Sequence, residues 1–139
     1  MRTIVYALAV AAAVAVSPVR ACGHCVEDKI AAVYDYAVLS GAQAARRHVA
    51  FLAIDGKLVN DAKLRRTITD TVGATAGVDR ASVRVSLDLG ALSFAFDPRR
   101  ASLGAIERGL GQRLAPLGLR LTEMKVFDDS AAWPATAKR

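Results

Sequence analysis

Arg80-Ala81-Ser82-Val83-Arg84-Val85-Ser86-Leu87-Asp88-Leu89-Gly90-Ala91-Leu92-Ser93-Phe94-Ala95-Phe96 decides the fold of this chain. Val83, Val85, Leu87 and Leu89 alternate with Ser82, Arg84, Ser86 and Asp88. Gly90 offers a tight turn, after which Leu92, Phe94 and Phe96 alternate with Ala91, Ser93 and Ala95. An apolar side chain at every second residue on both sides of a glycine predicts a β-hairpin with one face inward. Asp97-Pro98 ends it, since proline has no N–H to give to a ladder.

Downstream, Ser102 can cap a helix carrying Leu103, Ile106, Leu110 and Leu114. Gly104, Gly109 and Gly111 weaken that helix by about 1 kcal/mol each relative to alanine. Pro116 and Gly118 finish it, Leu119 to Phe127 predicts a last strand, and Asp128 to Arg139 reads as a tail that Trp133 could pin. Upstream, His48 to Ile54 is apolar on both faces, with Val49, Phe51 and Ala53 on one and Ala50, Leu52 and Ile54 on the other. Such a strand belongs at the centre of a sheet covered on both sides. Asp55-Gly56 turns the chain, and Asn60 would cap a helix through Leu64, Ile68 and Val72 that ends at Gly73 and Gly77. From residue 48 to 127 the order is strand, helix, strand, strand, helix, strand. That is the split βαβ, ferredoxin-like, α+β arrangement: a four-stranded antiparallel sheet with both helices on one face.

Before it comes an extra N-terminal helix. Val26, Ile30, Val33, Tyr34 and Ala37 form one helical stripe. The predicted helix runs from Gly23 to Leu39, with 42–47 as a connector or short further turn. One of Tyr34 and Tyr36 is expected in the core, and Glu27, Asp28 and Asp35 on a solvated face. The hairpin's small residues Ala91, Ser93 and Ala95 would let this helix approach the second face of the sheet closely.

The first 21 residues have the order of a secretory signal peptide. Arg2 provides an early positive charge, Ile4 to Val16 an unbroken apolar run, and Val19-Arg20-Ala21 the cleavage pattern. The run is shorter than the ~20 residues of an ordinary spanning helix. An exported, periplasmic or extracytoplasmic protein is therefore expected, with an uncleaved N-terminal anchor as the alternative. A lipoprotein cut would also fall before Cys22 and leave its sulfur lipidated. Membrane association is expected only in those two cases. Losing Arg2 and Arg20 and no acid takes the formal charge from +6 to +4. The remaining cations are spread along the chain without interleaved aromatics, so nucleic acid is not an expected partner. The domains read as 1–21 signal peptide, 22–47 cysteine-bearing helix and connector, 48–127 ferredoxin-like domain, and 128–139 tail.

Both cysteines lie in Cys22-Gly23-His24-Cys25. Two cysteines three apart cannot staple a large loop, and in an exported chain such a pair points to a metal clamp or a redox couple. The run from Gly77-Val78 through Val83-Arg84-Val85-Ser86-Leu87 and Leu92-Ser93-Phe94-Ala95-Phe96-Asp97-Pro98 to Ser102 and Ile106 resembles the second half of a heavy-metal-associated domain. That family comprises small copper chaperones, N-terminal modules of copper-pumping ATPases and mercury-binding periplasmic proteins. The resemblance covers roughly residues 48–127, and Cys22-Gly23-His24-Cys25-Val26 resembles the family's metal-binding Cys-x-x-Cys. In the family the cysteine pair follows the first strand, whereas here that loop reads Asp55-Gly56-Lys57-Leu58-Val59-Asn60. A helix from Cys25 to Leu39 spans about 21 Å and the strand from His48 to Ile54 roughly 20 Å. Antiparallel packing would thus return the pair to the blank loop.

Thiolates are soft ligands suited to Cu(I) and Zn. Two suffice for Cu(I), with His24 or the freed Cys22 amine as a third donor. A closed zinc site wants four ligands. Only His48 remains for that, and its place at the far end of its strand marks it as an ordinary strand residue. The resemblance implies Cu(I) sequestration or transfer to a partner protein through Cys22, Cys25 and His24, with Zn or Hg as other soft ions. The alternatives are a thiol–disulfide redox protein using the same tetrapeptide, which resembles that of protein disulfide isomerases, a metal-free partner-binding domain, and an inert N-terminal disulfide. No catalytic constellation argues for an enzyme.

Overall fold

The computed structural model describes residues 25–130. Cys22, Gly23, His24, the expected signal peptide and Trp133 lie outside the described residues. The chain forms α1 (Val26–Ala32), α2 (Tyr36–Ala44), β1 (His48–Asp55), α3 (Ala62–Gly73), β2 (Arg84–Ser86), β3 (Ala91–Phe96), α4 (Leu103–Leu114) and β4 (Arg120–Phe127). Short 3-10 turns cover Arg80–Ser82 and Ala115–Leu117. The four strands make one antiparallel sheet in the order β2-β3-β1-β4. The topology from β1 onward is the expected ferredoxin-like α+β one.

The two-sided apolar pattern of β1 has the expected consequence. Ala50, Leu52 and Ile54, with Leu92, Phe94 and Phe96 of β3, form a core under α3 and α4 that takes in Ile68, Val72, Ile106, Leu110 and Leu114. Val49 and Phe51, with Ala91 and Ala95, form a second core with Val33, Leu39, Ala42 and Phe127. The N-terminal segment therefore folds back on the second face. Ser93, between the two alanines, is 2% exposed, and its hydroxyl donates to the Val33 carbonyl at 2.7 Å.

The N-terminal helix is broken in two, contrary to the single helix expected. Asp35 is the reason. Its carboxylate accepts from the amides of Ala37 (2.9 Å) and Val38 (3.2 Å) as the N-cap of α2, and pairs with Arg84 Nη2 at 2.8 Å. An aspartate that can satisfy free amides competes with helix continuation. The Arg84 guanidinium, aided by those amides, holds this carboxyl below the usual carboxylate range. Asp35 is thus a half-buried tie to the sheet rather than a solvated acid. The break also turns both Tyr34 (40% exposed) and Tyr36 (46%) outward, so neither joins the core.

Two further expectations are corrected. The hairpin's first arm is a strand only over Arg84–Ser86, because Ser82 is buried and uses its hydroxyl in place of a backbone partner. That hydroxyl donates to the Asp79 carbonyl (2.6 Å) and accepts from the Ala95 amide (2.7 Å). The cap of α3 is Asp61, which accepts from the Lys63 amide, while Asn60 links Arg65 to Asp88. Ser102 does cap α4, accepting from the Ala105 amide.

Glu107 of α4 is half-buried with its Oε1 unpartnered among the described residues. Burial, and then the like charge of Glu123 on β4, raise its carboxyl above the usual glutamate range. Between the unfolded and folded values the folded protein holds more protons, so stability falls as pH rises through that window. Glu107→Gln should therefore raise the melting temperature at pH 7, and the gain should disappear below about pH 4, where glutamate is protonated in both states. Thermal melts of both proteins across that range check this, and a gain that persists at low pH would refute it.

Candidate metal centre

Cys25 is the one residue of the expected ligand set among those described; Cys22 and His24 lie outside them. It occupies the N-cap position of α1 in extended conformation (φ −67°, ψ 160°), with its carbonyl accepting from the Lys29 amide at 3.1 Å. Its side chain is only partly covered and makes no capping bond. Instead the Sγ–H donates to Asp28 Oδ2 at 3.0 Å. This hydrogen bond to a carboxylate raises the thiol pKa above its ordinary value, and the charges of Asp28 and Glu27 add in the same direction. A thiol so held is a poor free nucleophile, since the thiolate is the reactive form. The same acidic surroundings favour a cation in place of the proton.

The packing of α1 decides where this thiol sits. Ile30 of α1 and Val33, its C-cap, seat this segment on the second core, over β3. Lys29, one turn on from Cys25, then lines a polar cleft of about 310 Å³ with Ile54, Asp55, Gly56, Leu58, Asp88 and Gly90. The first turn of α1 is thereby brought to the loop after β1. That loop contains no sulfur or imidazole, as the sequence states. Gly56 lets it close against the turn after α4: a Cβ there would meet the Gly118 carbonyl oxygen at 2.4 Å.

His48 lies at the opposite end of β1, its ring edge against Phe96 with centroids 5.5 Å apart. Its Nε2 is buried and faces Asp129 Oδ2 at 3.6 Å, too long for a hydrogen bond. The residue lies at the end of β1 away from the Asp55-Gly56 loop. Asp128 and Asp129, expected in a tail, begin with a turn in which Asp128 accepts from the Ser130 amide and hydroxyl. Among the described residues no three His, Cys, Asp or Glu side chains converge to hold a metal ion, and no helix is long and apolar enough to cross a membrane. Sequence reasoning missed Asp28 as the partner of Cys25, although the i, i+3 spacing on a helix start pointed to it.

The fold class at this point is a ferredoxin-like α+β sheet with a two-helix layer added on its second face. Compared with family models, curated proteins and solved structures, the chain matches none.

Proposed function

We propose that this chain is an exported soft-metal-binding protein that takes Cu(I) at Cys22 and Cys25, with His24 as a third donor, to sequester it or pass it to a partner. The observation that carries this is the docking of α1. It brings Lys29, one turn after Cys25, into a cleft with Asp55, Gly56 and Leu58 of the loop after β1, and the family that the sequence resembles keeps its own pair in the corresponding loop. Cys25 is partly exposed, with Asp28 at hydrogen-bond distance. A soft ion replacing the thiol proton would find a thiolate and a neighbouring carboxylate. Transfer would proceed by stepwise exchange, one incoming thiolate replacing one outgoing thiolate on the ion, with no change of redox state.

The test is titration of the reduced protein with Cu(I) against a chromogenic chelator. One ion per chain is expected, and Cys25→Ser should weaken binding at least a hundredfold. Absence of binding, accompanied by disulfide reductase or isomerase activity, would replace this proposal with the thiol–disulfide one.

A further inference from the structure

On the α3–α4 layer, Lys63, Arg65 and Arg66 of α3, Arg108 and Arg113 of α4, and Lys57 just before α3 are all exposed. None of the six is in an ion pair among the described residues, where the Arg pairs are Arg47–Asp79, Arg80–Asp70, Arg84–Asp35 and Arg99–Asp97. The acids of this layer offset its charge only in part: Asp61 caps α3, Asp70 is held by Arg80 at 2.9 Å, and Glu107 is half-buried beside Glu123. The opposite layer is balanced, with Glu27, Asp28 and Asp35 against Lys29, Arg46 and Arg47.

We propose that the outer face of α3 and α4 is a docking surface for an anionic phospholipid bilayer. Two features select a bilayer over a compact anion or a soluble polyanion. Arg65 and Arg66 share one open surface pocket with Asn60, Ala62 and Thr69, but the six cations together are spread over two helices, each about 18 Å long at ~1.5 Å per residue, as suits a planar array of singly charged headgroups. The same layer also carries apolar side chains at one rim. Val59 is 57% and Leu117 46% exposed, in the loop before α3 and the turn after α4, which meet through Gly56 and Gly118. A basic face edged by exposed aliphatic residues is the pattern of interfacial binding. The contact is independent of Cys22, of any N-terminal anchor and of metal binding. It leaves α1 and Cys25, on the other face of the sheet, turned away from the lipid.

Protein recovered after export, in whichever processed form it is isolated, would be sedimented with vesicles of phosphatidylcholine alone and of phosphatidylcholine with 30% phosphatidylglycerol (about one anionic headgroup in three). Binding should favour the anionic vesicles at least tenfold and fall steeply with salt, because exposed charges are screened within about 10 Å at 0.1 M ionic strength. The combined substitution Lys63→Gln, Arg66→Gln and Arg108→Gln should reduce it by roughly a hundredfold, from the contribution of each basic residue near such a surface. These three exposed side chains hold no core contact, so circular dichroism should be unchanged. Val59→Ser with Leu117→Ser should weaken binding severalfold at high salt as well. Equal binding to both vesicles, no binding, or undiminished binding by the triple variant would overturn the proposal. So would tight binding to heparin in the absence of vesicle binding.

Discussion

Phe51→Ala is expected to lower the free energy of unfolding by about 3–5 kcal/mol, the range for truncating a large buried aromatic residue. Phe51 is fully buried at the middle of β1, on the face that α1 and α2 cover. Its ring meets Phe127 edge-on with centroids 5.8 Å apart, so one substitution removes its own packing and undercuts its neighbour's. The small residues opposite it, Ala91, Ser93 and Ala95, have no side chain long enough to refill the space. The loss should be spatially uneven. Amide exchange should quicken across residues 26–44 more than across α3 and α4, because the second layer has few other large anchors. Leu52→Ala, on the opposite face of the same strand, should cost about 2–5 kcal/mol while sparing that layer. Urea unfolding and amide exchange of the two variants provide the comparison. A loss below about 1 kcal/mol for Phe51→Ala, as for a surface position, would mean that the second layer does not pack as described.

Gly56→Ala is the second large effect. Gly56 has φ +136°, and an added Cβ would lie 2.4 Å from the Gly118 carbonyl oxygen and 3.1 Å from Leu119 Cδ2. The backbone conformation alone costs a residue with a side chain on the order of 1–3 kcal/mol. The collision with a carbonyl cannot be relieved by a rotamer change. A total of roughly 3 kcal/mol or more is expected once the two turns are forced apart. Gly109→Ala provides the contrast of sign. Gly109 lies inside α4 with nothing within 4 Å of its added Cβ, and alanine there should stabilise by up to about 1 kcal/mol. Chemical denaturation of both variants decides the matter, and similar midpoints for the two would refute it. Because Gly56 belongs to the loop beside α1, Gly56→Ala should also disturb the proposed Cu(I) binding, whereas Gly109→Ala should not.

What the sequence revealed depended on whether the pattern was periodic or local. The alternation of β1 and β3 and the i, i+4 stripes of α3 and α4 are repeated signals, so the sheet, its helices and its two covered faces could be read directly. Single residues that compete with a periodic pattern could not. Asp35 sits in an unbroken helical stripe, and only its pairing with Arg84, 49 positions away, shows why the helix stops there. Ser82 sits in an alternating stretch, and only the Ala95 amide shows why the strand begins after it. The candidate site divides in the same way. The cysteine motif is visible in sequence, but the length argument for its return took Cys25 to Leu39 as one helix, which Asp35 divides into α1 and α2. The hydrogen bond from Cys25 to Asp28 required side-chain geometry.

One feature of the sheet bears on how this protein survives at high local concentration. β4 is an eight-residue edge strand, paired only with β1. Its register with β1 slips between Phe51 and Leu52, where Lys125 and Glu123 are the respective partners and Met124 is the extra residue. A bulge bends an edge away from the flat geometry that another strand needs, and a lysine beside it adds charge to any approaching copy. The long open margin of the sheet is therefore a poor template for runaway strand addition. Deleting Met124 would be expected to straighten this edge and make the protein more prone to aggregate through it.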